Sequence, residues 1–353
     1  MARSRQKNSR KLEKPATVIS RSNPTPFTAA DLPVDDEGRI YHLQVEPGQI
    51  STDILLVGDP GRAELIGDTL LRDLEFKHEN RGLVTLTGTA EFTKNRTTII
   101  APIRTSVATS GMGTPSLEIV LNELVALNEI DFQTRTRKPA FPRLHIIRVG
   151  SSGGLQASTK LGTPIITTYA IGLDNTGLYY EAPPPDPNTE RLEEELGRVI
   201  NNAINIKSRY YGKIFPYVAR AEPALVSALV EASTILGVPV KTGLTVSAPG
   251  FFAPQGRNIG RWKPSLPDPD RILAEFDPML EGQRVENMEM ESSFLLHFLG
   301  GLGYWAGSIC PAIANRRKDT FTARYQEAMK NAARVALLAL AIVRDRYPDV
   351  RLH

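Results

Sequence analysis

The sequence predicts a layered α/β/α fold, a single domain around a central mixed sheet. Short apolar runs recur from Asp53 onward, helix-patterned segments lie between them, and no internal repeat or low-complexity tract breaks the alternation. Strands alternating with helices over such a length are characteristic of a sheet covered by helices. At 353 residues the chain suffices for one large domain of this kind.

Residues 1–35 read as a disordered basic tail, charged at first and then proline-containing through Asn23-Pro24-Thr25-Pro26. Six Lys/Arg against the single acid Glu13 give residues 1–14 a charge of +5, so a net +3 leaves the rest of the chain at −2. That balance excludes a body-wide basic footprint for nucleic acid. The tail has no apolar stretch of the kind a secretory signal needs. Residues 36–353 form the expected domain.

Candidate strands are 53–57, 83–87, 97–103, 144–149, 164–170, 242–247 and 304–310. Leu117, Val120, Leu121, Leu124 and Val125 follow the spacing of a helix with one buried face. Thr114-Pro115 supplies its cap and a proline for its first turn. Residues 131–143, 181–191 and 258–271 are polar or proline-rich and read as surface excursions of the same domain. Asp319 to Tyr347 reads as one long amphipathic helix. Its longest apolar run, Val335 to Val343, is nine residues. Crossing a bilayer takes about 20. Cys310 is the only cysteine, so no intrachain disulfide forms and a reducing, cytoplasmic compartment is expected. Its apolar neighbours mark a buried, inert thiol.

Five segments place small or charged residues where chemistry is done. Gly58-Asp59-Pro60-Gly61-Arg62 joins a strand to a helix, where unpaired backbone N–H groups favour an anion and Arg62 adds a planar fork of donors. No Gly-Lys-Ser/Thr follows and the spacing is not GxGxxG, so it is neither a Walker loop nor a dinucleotide fingerprint. Arg148-Val149-Gly150-Ser151-Ser152-Gly153-Gly154 repeats the pattern after another strand, and ligands of α/β sheets sit beyond such strand ends. Both also fit plain turns with a surface or salt-bridged arginine.

Phe251-Phe252-Ala253-Pro254-Gln255-Gly256-Arg257 combines rings with an amide that donates and accepts in one plane. Gln255 and Arg257 suit a pyrimidine edge, with Phe252 stacked on the base face. A loop with core aromatics is the alternative. Glu289 and Glu291 flank Met290. At a strand end that spacing aims both carboxylates one way, toward a ribose diol, while acids at a helix start also answer the macrodipole.

Together with Gly111-Met112-Gly113-Thr114-Pro115-Ser116, these motifs occur in an order that resembles the nucleoside phosphorylases of the trimeric and hexameric type, and the uridine phosphorylases among them. The resemblance runs from about Tyr41 to the final helix. It implies phosphorolysis of uridine, with inorganic phosphate as co-substrate and no metal or organic cofactor. The five histidines (His42, His78, His145, His297, His353) show no ligand spacing either. It implies a phosphate site from Gly58, Arg62, Arg148 and Ser151, completed by Arg81 across an interface. His42 of Tyr41-His42 would reach a ribose across that same interface, so a homodimer or homohexamer is expected. Met290 and Glu291, with Glu289 beside them, match the ribose positions. Gln255 and Arg257 match the base-reading pair, with Arg316 supporting a base oxygen.

Purine enzymes of the family carry Ser-Asp where this chain has Ala314-Asn315-Arg316-Arg317, and Asp319 is out of register. Conversely, Asn80-Arg81-Gly82 and Thr87-Gly88-Thr89 resemble purine enzymes, so purine or mixed specificity is the alternative, and phosphate-independent hydrolysis the more distant one. Gly82 replaces the acid on which a monovalent-cation site is built, so such a site is not expected.

Overall fold

The computed structural model describes residues 25–353 except 95, 96 and 349. The basic stretch 1–14, with everything up to residue 24, lies outside the described residues.

The strand Asp53–Val57 is buried along its whole length and pairs in parallel with His145–Val149 and Thr97–Thr109. A strand covered on both faces needs an unbroken apolar run, and Ile54-Leu55-Leu56-Val57 supplies it. Leu55 and Val57 join a core with the helices Pro60–Leu70, Pro223–Leu236 and Gln326–Arg346. Ile54 and Leu56 join a second core with Thr114–Glu129 and Ser292–Gly301. Helices therefore cover both faces, as expected of α/β/α. Truncating Leu55 to Ala would cost about 2–5 kcal/mol, because close-packed surroundings relax only partly.

The sheet is mixed. Trp305–Asn315 runs parallel to His145–Val149, and Pro164–Gly172 runs antiparallel to Trp305–Asn315. Pro164–Gly172 also pairs with Lys241–Ser247, which leads through Val285–Glu289 and Ser152–Gly154 back to Trp305–Asn315. That half of the sheet is thus closed into a ring. The C-terminal ends of Asp53–Val57, His145–Val149 and Val285–Glu289 open directly into the glycine and glutamate motifs.

Three sequence expectations shift. The ordered body begins before residue 36: Leu32 is buried, Val34 bridges to Ile40, and Arg135 donates to the carbonyls of Phe27, Thr28 and Leu32. The excursion 131–143 thereby clasps residues 27–32. The last helix starts at Gln326 rather than Asp319. Asn315 Oδ1 accepts the N–H groups of Arg317 and Lys318, turning the chain so that Thr320–Phe321 folds back on Trp305–Asn315. Finally, Leu71–Asn80 is a strand that the sequence reading passed over. It is a charged edge strand (LRDLEFKHEN) with mostly exposed side chains, so it lacks the apolar run that marks an inner strand.

Candidate active site

A cleft of about 480 Å³ lies at these strand ends and is lined by Gly58, Arg62, Arg148, Ser151, Gln255, Arg257, Glu289, Met290, Glu291 and Arg316. One pocket thus gathers all but three of the expected site residues.

At its cationic end Asp59 caps the helix Pro60–Leu70 by accepting the Arg62 N–H at 3.0 Å. Its carboxylate also pairs with Arg62 Nη2 at 3.0 Å, and Arg62 Nη1 donates to the Val149 carbonyl at 3.2 Å. The Arg62 guanidinium is largely buried, and burial followed by the neighbouring Arg148 charge lowers its pKa against the pull of Asp59. Two guanidiniums lining one cleft, each feeling the other's charge, favour an anion between them.

Arg148 is 3% exposed. Its Nε donates to Glu289 Oε2 at 3.0 Å and its Nη2 to Glu291 Oε2 at 2.5 Å. Burial alone would depress its pKa, but Glu291 and then Glu289 outweigh it and hold the pKa above the ordinary arginine value. Nη1 is buried without a partner. A buried donor left unpaired is costly, so this atom fits an acceptor that a ligand brings. Near the same guanidinium Cys310 is buried, and burial pushes its thiol up to about 11. It is the inert thiol expected.

The two carboxylates differ. Glu289 ends the strand Val285–Glu289 and accepts Ser247 Oγ at 2.5 Å and the N–H groups of Glu291 and Ser292. Those bonds, with the one from Arg148, fill its acceptor sites, so it orients the arginine. Glu291 takes Gly113 N–H at 2.7 Å on Oε1. Burial and the Glu289 charge raise its pKa against the pull of Arg148.

At the other end Gln255 is buried, its Oε1 accepting Arg257 Nη1 at 2.6 Å and its Nε2 donating to the Glu289 carbonyl at 3.4 Å. These bonds fix which way the amide faces. Arg257 lies over the Phe251 ring, 3.8 Å from its centroid. Phe251 lines the cleft, whereas Phe252, expected against a base, is not among the lining residues; both rings are half-exposed and stand edge-on to each other. The Arg257 guanidinium thus covers one face of the Phe251 ring.

Arg81 and His42 lie outside this cleft, together in one patch. Arg81 sits on the turn after Leu71–Asn80 with φ 54° and donates to the Tyr41 hydroxyl at 2.7 Å. His42 Nδ1 meets Glu123 Oε1 at 2.7 Å, and Asn80 donates to the His42 carbonyl. Sequence reading missed Asp59, Ser247 and Asp270, which hold the arginines and Glu289. Only Asp59 and the Pro267-Asp268-Pro269-Asp270 run, a helix-start pattern, carried a signal. Among the described residues, no group of three or more His, Cys, Asp or Glu could hold a metal ion, and no helix is long and apolar enough to cross a membrane. A groove of about 540 Å³ between Pro183–Pro185 and Gly300–Trp305 gathers none of the arginines named above.

The model of the phosphorylase superfamily matches residues 52–343. The chain belongs to that superfamily. A uridine phosphorylase of Thermococcus kodakarensis is 30% identical over 322 residues, 90% of this chain and 92% of that protein. A purine nucleoside phosphorylase, DeoD-type, of Exiguobacterium sp. is 35% identical over 129 residues, 36% of this chain and 45% of that protein. Among solved structures, the Trypanosoma brucei nucleoside phosphorylase, described as showing uridine phosphorylase activity, superposes with a TM-score of 0.75 at 27% identity, covering 88% of this chain and 99% of that one. One from work on the uridine phosphorylases of the oomycete Phytophthora capsici shares the fold, with a TM-score of 0.61 at 19% identity, covering 90% and 99%.

Proposed function

We propose that this chain is a pentosyltransferase that catalyses the reversible phosphorolysis of uridine to uracil and ribose 1-phosphate. The observation that carries the reading is the unpartnered, buried Arg148 Nη1 in a cleft that also holds Arg62 at one end and the Gln255–Arg257 pair at the other. The full-length similarity to a uridine phosphorylase supports it, whereas the purine enzyme matches over a part only.

In this reading Arg62, Arg148, Ser151 and the Gly58 turn hold phosphate beneath C1′, with Arg81 completing the site from a neighbouring subunit. A phosphate oxygen forms the new bond to C1′ as the bond to N1 breaks. The electron pair leaves with the base, so the sugar passes through positive charge, which the phosphate stabilises, and the uracil becomes anionic. Gln255, Arg257 and Arg316 meet that charge. Met290 and Glu291 grip the ribose, Glu289 holds Arg148, and His42 reaches the sugar of a neighbouring subunit. The enzyme is a homodimer or homohexamer, uses no cofactor besides phosphate as co-substrate, and works in the cytoplasm. Its catalytic domain runs from the residues that pack near Phe27 to the C-terminus.

Asp319 lines the cleft, which favours mixed specificity as a second reading. An absorbance assay of the purified protein with uridine, thymidine and inosine, with and without phosphate, tests both. Uridine cleavage only in the presence of phosphate is expected. Undiminished turnover without phosphate would overturn the reading, and preferred cleavage of inosine would replace uridine.

A further inference from the structure

Two permanent cations converge at the base end of the cleft. A methyl group on Gly153 would lie 3.8 Å from Arg257 Nη2 and 4.0 Å from Arg316 Cγ. Like charges on neighbouring side chains repel, and burial strengthens the repulsion. Burial lowers the Arg257 pKa, the Arg316 charge lowers it further, and Asp270 opposes both.

Asp270 is the second residue of the short helix Pro269–Glu275. Its Oδ2 accepts Arg316 Nε at 3.1 Å, while Arg316 Nη2 donates to the Gly256 carbonyl at 3.0 Å. The carboxylate also packs against Gly256 so closely that a methyl group there would collide with it, and φ at Gly256 is +75°. Gly256 stands between Gln255 and Arg257. One carboxylate thus grips one guanidinium and abuts the turn that carries the other guanidinium and the amide.

We propose that Asp270 is a positioning residue for nucleobase recognition, holding Arg316 against the Gly256 turn and so setting the placement of Gln255, Arg257 and Arg316 relative to one another. The proposal rests on the reading that these three face the base. The side chains of the pair are 28% (Arg316) and 17% (Asp270) exposed, more shielded than surface ion pairs that contribute little. The excursion 258–271 acquires a task, because its final residues deliver this carboxylate.

The test is steady-state kinetics of the full chain and of Asp270→Ala and Asp270→Asn, with nucleoside and phosphate varied separately. Asp270→Ala is expected to raise KM for uridine about tenfold, as for a lost charge-assisted hydrogen bond, with KM for phosphate held within about twofold. Its preference for uridine over thymidine narrows. Asp270→Asn keeps the shape and one acceptor oxygen, so it guards against misfolding and shifts KM for uridine in the same direction by less. An unchanged KM for uridine in both variants overturns the proposal. So does a parallel rise in both KM values with a lowered unfolding midpoint, the mark of a merely structural residue. Failure of the wild type to cleave uridine instead defeats the proposed function, and the same separation of constants on the nucleoside it does cleave then decides the role of Asp270.

Discussion

Gly150 stands where a methyl group would lie 2.8 Å from Arg148 Nη2 and 2.9 Å from Cys310 Sγ. The room for the buried guanidinium is therefore set two residues along the same turn. Gly150→Ala must push Arg148 off its two carboxylates or displace a packed thiol, and close-packed interiors resist both. The expected outcome is a KM for phosphate raised about tenfold or more, with destabilisation of about 1–3 kcal/mol. Phosphate-saturation kinetics and denaturant unfolding check it. Unaltered constants for phosphate would mean that Arg148 is not held by this contact.

Replacing Arg148 itself is a harsher change. Arg148→Ala leaves Glu289 and Glu291 buried without their cation, which costs about 3–5 kcal/mol when one partner of a buried pair is removed. Loss of a preorganised donor at the same time lowers kcat by about 10²–10³. Phosphate use should suffer far more than uridine binding, read by calorimetric titration of uridine alone. A variant with full phosphorolysis would separate Arg148 from the chemistry.

Gln255→Ala removes the amide whose direction Arg257 fixes. The expected result is a loss of base discrimination: the ratio of kcat/KM for uridine to that for inosine falls by about 1–3 kcal/mol in free-energy terms, the size of a lost specific hydrogen bond with its partner left unpaired. Competition between the two nucleosides in one reaction measures it directly. An unchanged ratio would move base recognition elsewhere in the cleft.

These expectations draw on residues that were legible in the sequence to different degrees. The buried run of Asp53–Val57 and the glycine turns after it declared themselves, because an inner parallel strand and an anion-binding turn each demand a narrow choice of residues. Leu71–Asn80 did not, since an exposed edge strand asks only for solubility. Glu289 and Glu291 were found as a pair, but which of them is saturated by Ser247 and the backbone is a tertiary fact. Asp270 pairs with an arginine 46 positions away, and no local periodicity encodes such a contact. Phe251 and Phe252 are adjacent and alike, so only the fold, which lays Arg257 over Phe251, tells them apart.

Part of the acid sensitivity should rest on Asp186. Asp186 caps the helix Pro187–Ala203 by accepting the Thr189 N–H at 3.0 Å. Burial pushes its carboxyl up, but the Tyr169 hydroxyl, then the Thr189 N–H and hydroxyl, outweigh it and leave the pKa below the ordinary 3.8. A depressed folded value means that this group stabilises the fold above pH 3.8 and loses that contribution as the pH falls through the folded pKa. Asp186→Asn keeps a capping oxygen without the titration, so its stability profile should be flatter below pH 3.8 than the wild type's. Urea midpoints at stepped pH check this, and parallel profiles would remove Asp186 from the acid response.

The position of Arg81 gives the sharpest test of assembly. Its guanidinium is tied to Tyr41 beside His42, in a patch that does not line the cleft of the same subunit. If that patch completes a neighbour's site, Arg81→Ala and Arg148→Ala homo-oligomers are each impaired, by about 10²–10³ for the loss of one preorganised donor. Subunits of the two kinds mixed after reversible dissociation would behave differently. In a mixed dimer one cleft has lost both arginines and the other has kept both, so about a quarter of wild-type activity returns on random pairing of equal amounts. Recovery well above the sum of the parents is the expected result, measured by phosphorolysis after dilution and reconcentration. Strict additivity would mean that Arg81 does not serve a neighbour's cleft.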